Sequence, residues 1–178
     1  MLSTIYRYIT DPYSTIARDF APVDSAALVV FLAAVSTATQ GHLGFGTIGA
    51  APVWGVLFYF VAAVLVWAIQ TAFIEFIAQL FGHTTPRLVL FSWLGMAQLP
   101  LAATLPLLTI SLTVHRVAPL IGMLVGVCQL AWFVLQIMTL KKLYSVTWVR
   151  ATLLYLAPLL AVVAAILFLA ISVGMMSW

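Results

Sequence analysis

Five long apolar runs, separated by short polar segments, constrain this chain more than any other feature of its sequence. The runs cover residues 25–39, 52–81, 88–113, 120–140 and 151–176. Hydrophobic residues make up 65% of the 178 residues and charged residues only 6%, whereas soluble domains carry about 25% charged residues. This composition excludes a soluble globular protein. Because about 20 apolar residues cross the hydrocarbon layer as a helix, the sequence predicts an all-α membrane protein with five transmembrane helices.

The first 24 residues have ordinary polarity and form a separate unit. Apolar and aromatic side chains recur there at roughly helical spacing, and Pro12 interrupts the pattern: Ile5, Tyr6, Ile9, Tyr13, Ile16 and Phe20. We therefore predict that residues 1–24 are a cytoplasmic amphipathic segment in the membrane interface, followed by a five-span membrane domain over 25–178. Asp24 or Ser25 is expected to cap the first span, which ends near Thr39. The segment lacks the pattern of a cleavable signal peptide.

Glycine and proline mark the expected ends of the spans. Segment 40–49 holds four glycines and no charge, which predicts a loop. Gly82 predicts the end of the second span, and Thr84-Thr85-Pro86 predicts a threonine cap with proline at the first helical position. Two alternatives stay open for 86–113, because Pro100 and Pro106 lie within it. The segment is either an interfacial helix to about Gln98 plus a span over 99–113, or one kinked helix.

The basic residues predict the orientation of the chain. With the N-terminus in the cytoplasm, six basic residues fall on the inner side: Arg7, Arg18, Arg87, Lys141, Lys142 and Arg150. Only Arg116 falls on the outer side, and cytoplasmic segments of membrane proteins carry the excess of Lys and Arg. The sequence therefore places the C-terminus outside, with Trp178 at the outer interface.

A polar stripe on the second span holds the only acidic residue within a span. Thr71, Glu75 and Gln79 follow Trp67 at intervals of four and share one helix face. An ionisable residue within the membrane is by default a functional candidate, so Glu75 is a candidate for accepting a proton or coordinating a cation. The structural alternative, which we favour, is that Glu75 reaches toward the interface and pairs with Arg87 or Lys141.

The fourth span carries a second candidate surface. Gly122, Gly126, Gln129 and Gln136 fall on one helix face together with Phe133. Small residues four apart let helices approach closely, and glutamine side chains form hydrogen bonds between membrane helices. The sequence predicts a helix-packing seam, which we expect within one molecule; a dimer seam or a pore lining is the functional alternative.

The segment before the last span is basic and contains aromatic residues. Lys141, Lys142 and Arg150 are interleaved with Tyr144 and Trp148. With Arg87, these basic residues either bind anionic lipid headgroups, at about 1 kcal/mol per charge, or determine topology, and the two roles are compatible.

The sequence predicts no catalytic, cofactor or metal site. The topology separates His42 and His115 from His83, and the single cysteine, Cys128, excludes an intramolecular disulfide. No nucleophile elbow, zinc-protease helix, phosphate-binding loop or dinucleotide fingerprint is present. The basic residues are scattered, so nucleic-acid binding is not expected.

The order of these features resembles the Yip domain family (Ypt-interacting proteins) over nearly the whole chain. The residues that carry the resemblance are Asp11-Pro12, Gly82-His83-Thr84-Thr85-Pro86-Arg87-Leu88, Ala97-Gln98-Leu99-Pro100-Leu101 and the run from Lys141 to Val146. The resemblance implies a five-span helical domain without known catalysis. Unlike the eukaryotic members, which are linked to small GTPases, the sequence shows no long cytosolic N-terminal region and no evident Asp-Leu-x-Gly-Pro motif; Asp19-Phe20-Ala21-Pro22 is at most a remnant of that motif. This departure argues against GTPase binding and for a compact prokaryotic member.

The resemblance leads us to expect a non-enzymatic protein of the cytoplasmic membrane. Its expected role is to organise the lipid bilayer, or to act as an accessory or scaffold component with other membrane proteins or with further copies of itself. An ABC-type exporter is one candidate complex, because some prokaryotic relatives are associated with such systems. The alternative is a small ion or solute transporter or channel that uses Glu75.

Overall fold

The computed structural model describes residues 2–44, 52–114, 116 and 118–176. These residues form helices joined by turns and irregular connections, with no strand among them, in agreement with the predicted all-α class. In chain order the helices are α1 Leu2–Thr10, α2 Pro12–Thr15, α3 Val23–Gly44, α4 Pro52–Leu80, α5 Arg87–Met96, α6 Leu99–Ala102, α7 Thr104–Thr113, α8 Ala118–Tyr144 and α9 Trp148–Met176.

Four helical segments of the described residues are long and apolar enough to cross a membrane. They are Val23–Gln40, Phe60–Leu80, Arg87–Ser111 and Ala118–Tyr144. The fifth predicted span corresponds to α9. Its part Trp148–Ala161 is an apolar helix, but it is shorter than the four candidate spans. The structure therefore supports an all-helical, multi-pass protein with four candidate spans.

The first span begins earlier and ends later than predicted. The backbone N–H of Ala26 donates to the carbonyl oxygen of Pro22 at 2.9 Å, so Asp24 lies inside the first turn and not at the cap. At the other end α3 continues to Gly44, which makes the first part of the predicted glycine loop helical. The amide of Gln40 donates to the Thr104 hydroxyl at 2.9 Å, and this contact with α7 holds the extended end. Residues 45–49 of the predicted loop lie outside the described residues.

The second span ends at the predicted glycine. Gly82 has φ +76°, a left-handed conformation that glycine adopts without the strain of a Cβ atom. Its N–H donates to the Gln79 carbonyl at 2.9 Å, and the N–H of His83 donates to the Ala78 carbonyl at 2.9 Å. These two bonds form a Schellman motif, which satisfies the last carbonyls of α4.

The predicted threonine cap of the next helix is wrong. Pro86 itself occupies the N-cap position, with φ −54° and ψ 130° and no side-chain hydrogen bond. Its carbonyl oxygen accepts from the N–H groups of Val89 and Leu90. Because the proline carbonyl starts the helical ladder, Thr85 lies one residue too early to cap it.

The third apolar run forms a kinked span. α5 is buried along Leu90, Trp93 and Met96, so it packs inside the bundle and not in the interface. Short turns separate α5, α6 and α7, and Pro100 cannot donate the backbone bond that would continue the ladder from Met96. Of the two alternatives for 86–113, the structure therefore favours the kinked one.

The hydrophobic core cluster lies toward one end of the bundle. α3 is the central helix and contacts α4, α5, α6 and α7, whereas α9 packs against α4 and α8. The most buried large side chains come from α1, α4, α5 and α8: Tyr8, Ile74, Leu90, Trp93, Leu140 and Leu143. Elsewhere, exposed apolar side chains cover the outer faces of α4, α8 and α9, as expected of surfaces that face lipid.

Candidate functional site

The charged residues gather at one end of the bundle, which we call the charged end. It is formed by residues 2–25, 75–88 and 141–150, where α1, α2 and the starts of α3, α5 and α9 meet the ends of α4 and α8. Six of the seven basic residues and all four acidic residues belong to these segments, and Arg116 is the exception. The candidate functional groups of the chain are therefore concentrated at the charged end.

Glu75 forms an ion pair with Arg87, one of the two partners expected from the sequence. Arg87 Nε donates to Glu75 Oε1 at 2.8 Å, and Gln79 Nε2 donates to the same oxygen at 2.9 Å. The Glu75 side chain is 16% exposed and the Arg87 side chain 81% exposed. Glu75 lies five residues before the end of α4, about 7.5 Å along the helix. The carboxylate is thus held in place by two donors near the helix end.

The remaining members of the polar stripe have separate environments. Thr71 is buried and donates its hydroxyl to the Trp67 carbonyl at 2.8 Å, a bond within its own helix. Gln79 is exposed. His83 lies beside Tyr144, with ring centroids 6.0 Å apart. Among the side chains that the structure describes, no group of three His, Cys, Asp or Glu could hold a metal ion; the side chains of His42 and His115 are outside this set.

Trp93 anchors the N-terminal segment to the bundle, a role that the sequence analysis missed. Its side chain is fully buried, and its indole N–H donates to the carbonyls of Ala17 at 3.0 Å and Phe20 at 2.9 Å. The Tyr8 ring packs 5.8 Å from the Trp93 ring, and this burial raises the pKa of the Tyr8 hydroxyl. No local pattern around Trp93 could have indicated contacts with residues more than 70 positions away.

The two sides of the N-terminal segment, described from residue 2 onward, differ in burial. Ile16 is buried, whereas Leu2, Tyr6 and Ile9 are 73%, 68% and 62% exposed. Asp11 caps α2 by accepting from the Ser14 N–H at 3.1 Å, and hydrogen bonds from the side chain and backbone of Ser14 lower the pKa of Asp11. The segment therefore packs one side on the bundle and presents apolar side chains on the other.

The predicted basic segment 141–150 is mostly helical. Lys141 and Lys142 form the last turn of α8, and α9 begins at Trp148, which leaves a turn of only three residues. Ser145 adopts φ 53°, and the N–H of Val146 returns to the Lys141 carbonyl at 3.2 Å. The sharp reversal separates Arg150, which is exposed on α9, from the two lysines.

Aromatic rings hold the two lysines near the N-terminal segment. Lys141 Nζ lies 4.7 Å from the Trp148 ring centroid, and Lys142 Nζ lies 4.4 Å from the Tyr13 ring centroid. Arg18 Nη2 donates to the Ser145 hydroxyl. The two segments therefore bring Arg18 close to a pair of lysines that lies far from it in the sequence.

The predicted seam on α8 does not act as one surface. A Cβ atom added to Gly122 or Gly126 would meet no other atom within 4 Å, and Gln129 is exposed. Gln136, in contrast, is buried, and its amide donates to the Leu94 carbonyl at 3.2 Å. The expectation that the whole seam packs within one molecule is wrong for the two glycines, because no side chain of a neighbouring helix lies against them.

Glycine-mediated packing occurs instead at Gly95. A Cβ atom there would lie 3.1 Å from Val30 Cγ2, 3.2 Å from the Ala26 Cβ and 3.3 Å from Trp67 Cζ2. Gly95 therefore lets α5 approach α3 and α4 closely.

A buried polar contact joins α3 to α7, also unforeseen from the sequence. The Thr104 hydroxyl donates to the Leu101 carbonyl at 2.7 Å and accepts from the Gln40 amide. It also forms a hydrogen bond with the Ser36 hydroxyl. The donors and acceptors satisfy one another, which fits a structural role.

Comparisons of the chain with models of protein families, with curated proteins and with solved structures found no match.

Proposed function

We propose that this chain is a five-span membrane protein of the cytoplasmic membrane of a prokaryotic cell, with the charged end in the cytoplasm. The segregation of basic residues supports this orientation, because cytoplasmic segments retain Lys and Arg. The 29 residues of α9 supply the fifth span, since about 20 residues suffice. The N-terminus is then cytoplasmic and the C-terminus outside.

The proposed role is non-enzymatic and of the Yip type: the protein organises the bilayer or serves as an accessory or scaffold component of a membrane complex. The observation that carries the proposal is the docked N-terminal segment. Trp93 fixes one side of it to the bundle, while Leu2, Tyr6 and Ile9 stay exposed on the other. An apolar helix face held at the membrane boundary inserts into the headgroup region or contacts a partner there.

The ion pair of Glu75 favours a structural role for this residue over transport. The carboxylate accepts from Arg87 and Gln79 near the end of α4, so a transported ion would have to displace two donors.

Photocrosslinking from residue 9 tests the proposed role. A photoreactive amino acid replaces Ile9 in cells that express the protein, and a second variant carries it at Asp24 as a polar control. We expect Ile9 to crosslink to lipid or to a defined membrane protein. Crosslinks equal to those of the control, or to water-soluble proteins only, would contradict the proposal.

Cysteine labelling in the same cells tests the orientation. After Cys128→Ala, single cysteines are introduced at Thr84 and Arg116. A membrane-impermeant maleimide should label the Arg116→Cys variant in intact cells, and the Thr84→Cys variant only after permeabilisation. The reverse pattern would overturn the orientation.

A further inference from the structure

A cavity of about 640 Å³ lies between the N-terminal segment and the turn that connects α8 to α9. Arg18 and Tyr13 line one wall, and Lys141, Lys142 and Ser145 line the other. The buried side chains of Ile16 and Leu143 add an apolar lining. The cavity thus combines three cations with a hydroxyl and an apolar surface.

The three cations have no matching anions. Among the described residues, the ion pair within 4.0 Å is Arg87 with Glu75, and no carboxylate lies that close to Arg18, Lys141 or Lys142. The charge of Asp11 interacts with Lys142, but the Asp11 carboxylate already caps α2. Like charges held together repel one another, so an anion in the cavity would relieve their repulsion.

The geometry suits a phosphate group. Arg offers a planar fork of donors that matches phosphate oxygens, and Lys adds compact positive charge. The Ser145 hydroxyl accepts from Arg18, which orients the guanidinium at the cavity wall. Lys141 is held over the Trp148 ring and Lys142 over the Tyr13 ring, so aromatic faces position both positive charges.

The position of the cavity points to a lipid as the source of the phosphate. Lys141 and Lys142 lie in the last turn of a candidate span, Ala118–Tyr144, where the hydrocarbon layer meets the headgroups. Tyr13 and Trp148 are residues enriched at that depth. Basic pockets at the ends of membrane helices bind anionic headgroups. The apolar side chains of Ile16 and Leu143 would contact the part of the lipid next to its phosphate.

We propose that Arg18, Lys141 and Lys142 form a binding site for the phosphate group of an anionic phospholipid. This proposal rests on the proposed function, which places the charged end at a membrane surface. A lipid bound at the site would contact both the N-terminal segment and the α8–α9 turn, and would so add to the contacts that dock this segment.

Lipid titration of the purified full-length protein in detergent tests the site. The probes are dioctanoyl phosphatidylglycerol, dioctanoyl phosphatidylcholine and inorganic phosphate, and binding is read as the rise in melting temperature and by native mass spectrometry. We expect phosphatidylglycerol to bind and phosphatidylcholine to bind at least tenfold more weakly. Removing one cation, as in Arg18→Gln or Lys142→Gln, should weaken phosphatidylglycerol binding about fivefold, and the double variant about 25-fold.

Arg150→Gln and Arg7→Gln are the matched controls, because each removes one exposed basic charge at the same end without lining the cavity. They should bind phosphatidylglycerol within twofold of the unaltered protein. An equal loss in the controls would overturn the site in favour of general surface charge. Inorganic phosphate that binds as tightly as the lipid would overturn the lipid as the source, and equal binding of the two lipids would overturn the site altogether.

The melting temperature of each variant without added lipid shows that it is folded. Arg18→Lys, which keeps the charge, should retain phosphatidylglycerol binding better than Arg18→Gln if the site is electrostatic. The titration is made in detergent, so it does not depend on cellular orientation or partners. A negative titration would not affect the conclusions from crosslinking and cysteine labelling. Negative crosslinking or labelling results would likewise not affect the measured lipid affinity.

Discussion

The two side chains of the Glu75–Arg87 ion pair differ strongly in their exposure to solvent. The carboxylate is mostly buried, at 16% exposure, while the guanidinium is 81% exposed. Water solvates the exposed cation whether or not its partner is present. Without Arg87, the mostly buried carboxylate would keep only the Gln79 amide of its two donors, and a buried polar group that loses its partner costs about 1 to 3 kcal/mol.

We therefore expect Arg87→Met to destabilise the protein more than Glu75→Gln. Glu75→Gln removes the charge that needed a partner, and exposed ion pairs contribute only about 0–1 kcal/mol. Arg87→Met should lower the free energy of unfolding by about 1 kcal/mol or more, measured by thermal or denaturant unfolding in detergent. The double variant should recover most of that loss.

A different order of stability among these variants would indicate a different role for Glu75. If Glu75→Gln were the more damaging variant, the carboxylate would serve another ligand besides Arg87. If it left unfolding unchanged and abolished ion flux in proteoliposomes, the transporter alternative would replace the structural one.

Local sequence signals identified some single residues and missed others. Gly82 could be predicted, because a helix stop needs a left-handed residue at one position. The Glu75–Arg87 pair was within reach as well, since both residues lie near one short connection. Trp93 and Arg18 could not be assigned: their partners lie 73 or more residues away, and periodicity reports only which residues share a face of the same helix.

At the level of helices, the close approach of α5 to α3 depends on Gly95 and not on the glycine pair of α8. Gly122-x-x-x-Gly126 shows the stronger sequence pattern, yet both glycines face open space. Gly95 stands alone in an apolar run and lies against Val30, Ala26 and Trp67. A small-residue pattern indicates that another helix could pack closely at that position. Whether one does depends on where the neighbouring helices lie.

Gly95→Ala and Gly126→Ala form a matched pair that tests this difference. The new methyl group at position 95 would lie 3.1–3.3 Å from three carbon atoms, so Val30, Ala26 and Trp67 would have to move by a few tenths of an ångström. We expect a loss of about 1–3 kcal/mol in unfolding free energy, as for other overpacked cores. Gly126→Ala should be neutral or slightly stabilising, because alanine favours the helix by about 1 kcal/mol.

Size-exclusion chromatography with light scattering provides the control for self-association. If Gly126→Ala destabilises as much as Gly95→Ala, or changes the oligomeric mass, the α8 glycines pack against a second copy. A Gly95→Ala variant as stable as the unaltered protein would contradict the close packing of α5 on α3.

Across the whole molecule, apolar composition identifies the spans but hardly distinguishes their inward and outward faces. Lipid is as apolar as leucine, so a membrane helix shows no polar side that would mark the outside. Leu130 and Leu140 lie on the same helix, α8, yet Leu130 is 68% exposed and Leu140 is fully buried. The presence of several long apolar helices was therefore predictable from the sequence, and the position of the core was not.

Leu140→Ala and Leu130→Ala measure how far packing inside the bundle exceeds packing against lipid. Both remove the same apolar volume from the same helix. Leu140→Ala leaves a cavity in the core and should cost about 2–5 kcal/mol of unfolding free energy, whereas at position 130 detergent or lipid fills the space and the cost should stay within about 0.5 kcal/mol. Thermal unfolding in a neutral detergent compares them. An equal loss at both positions would mean that protein, from a second copy or a partner, covers the exposed face of α8.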